Sequence, residues 1–193
     1  MRRRLAVALC VLAALPTLSA CVPAVVAGAG AALWVGNDRR TTGSYADDQT
    51  FEVKLASQIS SKVPGAHVNV TAFNRAILLT GEVPDEQARA QADFTARALP
   101  GVRKLHNYLV IAPNSTLGNR LNDSGLSTKV RARLLEGKSF SSNHFNVVVE
   151  RGEVYLLGLV SDREGEEAAR LASETAGVQK VITLYEYLNE RRE

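Results

Sequence analysis

The chain has 193 residues, of which 23 are basic, 20 are acidic and two are cysteine. The formal charge of +3 equals the contribution of Arg2, Arg3 and Arg4, so it gives no support to nucleic-acid binding, which depends on many Lys and Arg contacts to phosphate. Cys10 and Cys21 both lie near the start, which excludes a disulfide framework in the rest of the chain and leaves folding to packing.

The first twenty residues have the organisation of a secretory signal peptide. Three arginines form its basic start, residues 5–15 form its apolar segment, and small residues lead up to Cys21. The sequence LSAC at residues 18–21 resembles the lipobox of bacterial lipoproteins, in which the cysteine is acylated and becomes the first residue of the mature chain. We therefore predict that residues 1–20 are removed and that the lipid on Cys21 attaches the protein to a membrane.

Residues 21–47 are predicted to be a tether between this anchor and the first domain. The apolar stretch at residues 22–36 is rich in Gly and Ala and falls short of the roughly 20 apolar residues that a membrane-spanning helix needs. The residues after it are polar and typical of turns. Residue 22 is valine rather than aspartate, which resembles the outer-membrane sorting signal of enterobacterial lipoproteins.

One pattern occurs twice in the remainder of the chain. VNVTAFNRAILLTGEV at residues 68–83 aligns without a gap with FNVVVERGEVYLLGLV at residues 145–160. Matching segments lie upstream, at KLASQI and KVRARL, and downstream, at GVRKLHNYL and GVQKVITLY. We predict two tandem copies of one small domain, at residues 48–112 and 126–193, joined by a linker at residues 113–125.

Each copy is predicted to fold in the order helix, strand, strand, helix, strand. The first helix has apolar residues every fourth position, and two strands around a short polar turn form an antiparallel hairpin. Asp85 and Ser161 start the second helix, the latter in a capping box with Glu164. Since a strand–helix–strand connection is right-handed, the last strand should lie parallel to one hairpin strand. The fold class is α+β, with two αββαβ domains, each a three-stranded mixed sheet covered on one face by two helices.

The predicted bounds of these elements are as follows. In the first copy the hairpin strands are residues 68–73 and 76–80, the second helix is residues 86–99 and the last strand is residues 102–111. In the second copy the hairpin strands are residues 145–150 and 153–157, the second helix is residues 163–176 and the last strand is residues 178–188.

Four glycines recur at equivalent places. Gly81 and Gly158 close the second strand of each hairpin, and Gly101 and Gly177 stand between the second helix and the last strand. A residue without Cβ suits a position where the chain changes direction, so we interpret all four as structural.

No set of residues indicates an enzyme. His67, His106 and His144 have no second histidine at the spacing of a metal site, and neither Gly-x-Ser-x-Gly nor His-Glu-x-x-His occurs. Paired acids such as Glu166 and Glu167 are typical of a solvated helix surface. We therefore predict a protein without catalytic residues, metal or cofactor.

The first helix of the second copy is the candidate binding surface. It carries the basic residues Lys129, Arg131 and Arg133, with Lys138 just beyond its end, and these border the apolar residues Leu126 and Val130. Such a pattern suits a helix that lies on an anionic membrane leaflet. It is equally typical of a helix whose apolar stripe packs on its own sheet and whose charged flanks are solvated.

The repeated pattern resembles the BON domain family of bacteria. The features in common are the αββαβ order, the apolar-x-Gly-x-Val segments at residues 79–83 and 156–160, and the Gly-Val pairs at residues 101 and 177. The resemblance implies an outer-membrane lipoprotein that faces the periplasm, binds anionic phospholipid and supports envelope integrity, and it carries no catalytic residues. The alternative is a scaffold that docks an envelope protein or the cell wall without recognising a headgroup.

Overall fold

The computed structural model describes residues 38–188. The predicted signal peptide, the lipidation site Cys21 and most of the predicted tether lie outside the described residues. The described residues fold in the order helix, strand, strand, helix, strand, and repeat that order. Both copies belong to one compact unit that begins at residue 37.

The elements of the two copies have these bounds. The first copy contains α1 Thr42–Lys62, β1 His67–Phe73, β2 Ala76–Val83, α2 Glu86–Arg97, β3 Lys104–Asn107 and β4 Val110–Ile111. The second contains α3 Leu117–Leu134, a single 3-10 turn at Ser142–His144, β5 Phe145–Glu150, β6 Glu153–Val160, α4 Asp162–Ser173 and β7 Lys180–Tyr187.

The strand pairing confirms the predicted fold class. In each copy the hairpin strands are antiparallel, and the last strand pairs in parallel with the second hairpin strand. The predicted helix starts at Asp85 and Ser161 are also confirmed, because the Asp85 carboxylate accepts from the N–H of Ala88 and Ser161 forms its capping box with Glu164.

The last strand of the first copy was predicted to be continuous, and that prediction is wrong. It breaks between β3 and β4, at Tyr108 and Leu109. The Leu109 side chain is buried in the core of the first copy, and its N–H donates to the Asn107 side chain instead of to a neighbouring strand. Tyr108 still donates its N–H to the carbonyl oxygen of Leu79 in β2, so the chain leaves the sheet only at Leu109, buries that leucine, and rejoins β2 at Val110.

Each sheet is covered on one face by the two helices of its own copy. Alternate residues of β2, Ile77 and Leu79, face the core that α1 and α2 complete. Alternate residues of β6, Val154 and Leu156, face the equivalent core beneath α3 and α4. The predicted arrangement of two helices on one face is therefore correct for both copies.

The opposite faces of the two sheets pack against each other. Phe73 and Leu78 of the first copy share a buried cluster with Tyr155, Leu157 and Leu159 of the second. The second hairpin strands are thus buried on both faces, which explains why AILLTGEV and EVYLLGLV are apolar runs rather than alternating ones. Stacking the sheets buries surface that a single copy of this size would leave exposed.

Both first helices begin earlier than predicted. Thr41 caps α1 by accepting from the N–H of Ser44, and Thr116 caps α3 by accepting from the N–H of Asn119. The end of the predicted tether and most of the predicted linker, residues 113–125, are therefore helical. The polar composition of these segments concealed the helices, since their N-terminal turns have few apolar residues facing the core.

Each of these two helices contains a buried aspartate, which explains why the helix extends this far. Asp48 of α1 accepts from the N–H groups of Asn74 and Arg75, both at 2.7 Å. Asp123 of α3 accepts from the N–H groups of Arg151 and Gly152, both at 2.9 Å. These four turn residues all have positive φ, so their N–H groups point away from the hairpin and would be unpaired without a carboxylate.

The glycines predicted to close the second strands lie inside them. Gly81 has a φ of +110°, and a Cβ there would lie 2.1 Å from the carbonyl oxygen of His67. Gly158 pairs with Phe145 within its sheet, and a Cβ there would make a tight but less severe contact, 3.0 Å from the carbonyl oxygen of His144. Gly101 and Gly177, at φ of +94° and +101°, follow the second helices.

Candidate functional site

The inward face of α3 packs on its own sheet. Leu126 and Val130 are only 4% and 0% exposed, and they form the core of the second copy with residues of β5, β6 and α4. The prediction that these two residues contact lipid is therefore wrong. Their apolar side chains satisfy the core, and the folded protein has no surface at these positions to offer a membrane.

The outward face of α3 carries a different set of leucines. Leu117, Leu121 and Leu135 are 73%, 63% and 73% exposed. At 3.6 residues per turn they fall within about 40° of one another around the helix axis, on the side away from Leu126 and Val130. The small residues Thr128 and Ala132 lie between them and are also exposed. We call Leu117, Leu121, Thr128, Ala132 and Leu135 the outer stripe.

The outer stripe was not predicted, because the predicted helix began at residue 126. Leu117 and Leu121 then fell in a linker, where two leucines have no common face. The signal that could have found them is the Thr116 cap, which matches Thr41 at the same offset of 75 that relates KVRARL to KLASQI.

The basic residues predicted to bind phospholipid differ in their surroundings. Lys129 and Lys138 are exposed and have no ion pair within residues 38–188. Arg131 donates to the carbonyl oxygen of Val147 at 2.7 Å, which fixes its guanidinium but leaves its charge uncompensated. Arg133 pairs with Glu136 and with Glu174, so its charge is largely neutralised.

Arg120 is a further basic residue of this surface that sequence analysis missed. It is exposed on α3, and its guanidinium donates to the Ser115 hydroxyl at 3.1 Å. By helical geometry, Arg120 and Arg131 border one side of the outer stripe and Lys129 lies on the other. Asp123 is the one acidic residue of α3, and it is buried under the hairpin turn. The outer surface of the helix is therefore apolar and basic.

A second group of polar residues lies between the two copies. The Nδ1 atom of His67 is 2.9 Å from the Glu82 carboxylate, which is 0% exposed and also accepts from the N–H of Ser115. Burial would raise the pKa of Glu82, but the hydrogen bonds from His67, Ser115 and Arg151 hold it below its ordinary value. Ligand atoms of His67, Glu82 and Glu150 lie within 4.8 Å of one another.

Glu150 has a different environment from Glu82. It is 6% exposed, and it accepts from the Asn69 amide at 2.8 Å. Burial raises its pKa, and the neutral amide and the more distant His67 only partly offset that effect. The spacing of the histidines gave no sign of this group, because its members come from three strands and two copies. His106 and His144 are not part of it.

The end of the predicted tether is fixed to the second copy. The guanidinium of Arg39 forms two hydrogen bonds with the Glu164 carboxylate, at 2.7 and 2.8 Å, and a third with the carbonyl oxygen of Leu159. This pairing lowers the pKa of Glu164 to about 2. Arg40 pairs instead with Asp38 and with the buried Asp48 of the first copy. Residues 39 and 40 thus connect both copies.

None of the helices among residues 38–188 is long and apolar enough to cross a membrane.

Comparison with known proteins confirms the predicted resemblance. The model for the BON domain matches residues 47–113 and again residues 122–188. The chain is 34% identical over 176 residues to Outer membrane lipoprotein DolP of Haemophilus influenzae, which covers 89% of this chain and 91% of that protein. It is 30% identical over 154 residues to the 21 kDa hemolysin of Actinobacillus pleuropneumoniae, covering 78% of this chain and 79% of that one.

A solved structure is also similar, although only weakly. CdsD, a structural protein of the type III secretion system of Chlamydia trachomatis, matches 70% of this chain and 91% of its own at 12% identity. Its TM-score of 0.30 is too low to bear on the fold.

The similarity to an outer-membrane lipoprotein extends over nearly the whole of both chains, and it confirms the predicted localisation. The protein is a lipid-anchored protein of the outer membrane. The two domain matches cover more than half of its residues, and the chain therefore belongs to the BON domain family.

Proposed function

We propose that this lipoprotein faces the periplasm and binds anionic phospholipid through α3 of its second domain, and that it thereby supports the integrity of the envelope. The observation that carries the proposal is the outer stripe, a row of exposed leucines bordered by basic residues on a helix without an exposed acid. An apolar face with basic flanks is the arrangement that places a helix in the interface of an anionic leaflet.

The leucines supply the apolar part of the proposed contact. Complete burial of a leucine side chain contributes about 1.5–3 kcal/mol, and these side chains are already partly covered by their own helix. Insertion of Leu117, Leu121 and Leu135 would therefore contribute about 1–2 kcal/mol each. The apolar residues predicted from the sequence, Leu126 and Val130, cannot supply this contribution because they are buried.

The basic residues supply the electrostatic part. A Lys or Arg near an anionic surface contributes about 1 kcal/mol at physiological ionic strength. The side chains of Lys129, Arg131 and Lys138 form no ion pair within the described residues, although the Lys138 backbone N–H donates to the Glu167 carboxylate, and Arg120 adds a further positive charge. Arg133 contributes least, because Glu136 and Glu174 already balance its charge.

The lipid proposed on Cys21 completes the attachment. A single acyl chain or a single surface helix gives weak, reversible binding, and stable attachment takes two such signals. An anchored protein holds α3 close to the bilayer, so that a modest affinity for headgroups suffices. The tether residue Arg39 is fixed to the second domain, which is the domain that carries α3.

The proposal is tested by flotation with vesicles, using the chain from residue 37 onward, which lacks Cys21 and contains the whole compact unit. We expect binding to vesicles rich in phosphatidylglycerol and none to vesicles of phosphatidylcholine alone. The charge-reversed variant Lys129→Glu/Arg131→Glu should lose binding, and added salt should weaken the wild type.

Lys54→Glu/Lys62→Glu is the matched control, because it makes the same charge change on the equivalent helix of the first domain. Equal losses in the two variants would mean a general charge effect rather than recognition by α3. Absence of binding to either vesicle would favour the alternative, a scaffold that docks an envelope protein or the cell wall.

A further inference from the structure

We propose that His67, Asn69 and Glu150 form a binding site for a divalent transition-metal cation such as Zn²⁺, in the cavity between the two domains. This inference is independent of lipid binding. It assigns a role to the one group of potential ligand residues that the described part of the chain brings together.

Glu82 prepares His67 for such a role. The hydrogen bond between His67 Nδ1 and the Glu82 carboxylate, at 2.9 Å, places the ring proton on Nδ1. The other ring nitrogen, Nε2, is then left with a lone pair to donate. A carboxylate that holds one histidine nitrogen while the other binds a metal is the usual arrangement in zinc proteins. Glu82 itself is buried and held by Ser115 and Arg151, so it acts as the orienting residue.

Asn69 and Glu150 lie on the side of His67 that Nε2 faces. The terminal amide of Asn69 is 3.4 Å from Nε2 and 2.8 Å from the Glu150 carboxylate. Rotation of that amide by 180° exchanges its nitrogen for its oxygen. An imidazole nitrogen, an amide oxygen and a carboxylate oxygen would then converge, a set that suits Zn²⁺ better than Mg²⁺ or Ca²⁺.

The burial of Glu150 without an ion pair is the independent observation that points to a ligand. Glu150 is more than nine-tenths buried, and it forms no ion pair within residues 38–188. Its direct partner is the neutral amide of Asn69. A buried carboxylate is costly unless a cation compensates it. Arg151 and Arg120 do not, since the first faces Glu82 and the second is exposed and bonded to Ser115.

The site has space for a cation and its water. A cavity of about 410 Å³ is lined by His67, Asn69 and Glu150, and by four residues of α3, Arg120, Asp123, Ser124 and Ser127. Water could therefore complete a four-coordinate shell. Because His67 and Asn69 belong to the first domain and Glu150 to the second, a bound cation would join the two domains and stabilise their contact.

The test is a titration of the chain from residue 37 onward with Zn²⁺, followed by calorimetry and by the midpoint of thermal unfolding. We expect one site and a rise of the midpoint with Zn²⁺ but not with Mg²⁺. His67→Ala and Glu150→Gln should each weaken binding at least tenfold, and Glu82→Gln about tenfold. This chain contains neither Cys10 nor Cys21, so thiols cannot add a second site.

His106→Ala is the control, because it removes a histidine outside the site and should bind as the wild type does. Glu150→Gln preserves the side-chain shape and keeps the test valid if His67→Ala does not fold. The proposal is overturned if the wild type binds no more Zn²⁺ than Glu150→Gln, or if His106→Ala loses as much affinity as Glu150→Gln.

Discussion

The helices α1 and α3 occupy equivalent places in the two domains. Their buried inner faces are similar in sequence, whereas their exposed outer faces differ. At an offset of 75, the buried residues Phe51, Leu55 and Ile59 of α1 correspond to Leu126, Val130 and Leu134 of α3, and Asp48 corresponds to Asp123. The outward residues Leu117, Leu121 and Leu135 correspond to Thr42, Ala46 and Ser60. Both inner faces pack against a sheet and therefore carry similar residues, whereas the outer faces lie outside the core and carry different ones.

This difference teaches where to look for function in a duplicated domain. Both helices would fold equally well with polar outer faces, so Leu117, Leu121 and Leu135 contribute nothing to the core. Three exposed leucines in a row also carry a risk of aggregation unless something covers them. We take the surface that differs, rather than the stripe that repeats, as the binding surface.

The largest expected effect concerns the aspartates of the inner faces. Asp48→Ala should lower the free energy of unfolding by about 4 kcal/mol, because it leaves two turn N–H groups and the Arg40 guanidinium without their partner. Asp123→Ala should cost less, about 2–3 kcal/mol, since Asp123 holds only the turn. Urea unfolding of each variant measures both values.

Asp47→Ala provides the control for these aspartates. Asp47 is half-exposed and pairs with Arg75, so its loss should change stability by no more than about 0.5 kcal/mol. Similar values for all three variants would contradict the role assigned to the buried carboxylates.

The glycines sharpen the comparison of the two hairpins. Gly81→Ala should cost about 3 kcal/mol, because the residue has positive φ and its new Cβ would meet the His67 carbonyl. Gly158→Ala should cost clearly less, since its φ is ordinary and its nearest neighbour is farther away. Thermal unfolding of the two variants decides the order, and a greater loss in Gly158→Ala would show that strand packing matters more than backbone conformation.

Exchange of the outer faces tests the functional half of the comparison. Replacing Leu117, Leu121 and Leu135 by the Thr, Ala and Ser of α1 should weaken binding to phosphatidylglycerol vesicles at least about a hundredfold and leave unfolding nearly unchanged. Vesicle sedimentation at several lipid concentrations gives the affinity. Unchanged binding in this variant would leave the basic residues as the whole of the contact.

The smallest expected effect concerns the tether. Because Arg39 depresses the pKa of Glu164 to about 2, the pair stabilises the protein above the ordinary glutamate pKa of 4.5, and that contribution is lost as the pH falls toward 2. Arg39→Ala should therefore lower stability by roughly 1–2 kcal/mol at pH 7, discounted for the partial exposure of the arginine. Urea unfolding should give a difference between variant and wild type that shrinks between pH 5 and pH 2.5.

The fold could be predicted largely because the same sequence pattern occurs in both domains. Aligning the two copies fixed the order of the elements, the hairpin turns and the stripes of α1 and α3, since apolar periodicity reports which residues face a core. The starts of α1 and α3 could not be predicted in the same way. Asp48 and Asp123 read as loop residues until the structure shows the turn N–H groups that they bind.

The candidate site could be predicted only in part. The basic residues of α3 were found because charge is visible in a sequence, but Leu126 and Val130 were assigned to the membrane when they belong to the core. An apolar residue gives no indication of whether it faces a core or a bilayer. The group around His67 and Glu150 could not be found at all, because stacking of the two sheets brings its members together.

The central claim is that the outer stripe of α3 contacts the bilayer, and a fluorescent label tests it most directly. The chain from residue 37 has no cysteine, so an environment-sensitive dye can be attached singly through Leu121→Cys or through Ala46→Cys, its equivalent on α1. With vesicles rich in phosphatidylglycerol, we expect a blue shift of the emission at position 121 and none at position 46. Equal shifts at both positions, or no shift at position 121 when the protein is bound, would contradict the assignment of the membrane contact to α3.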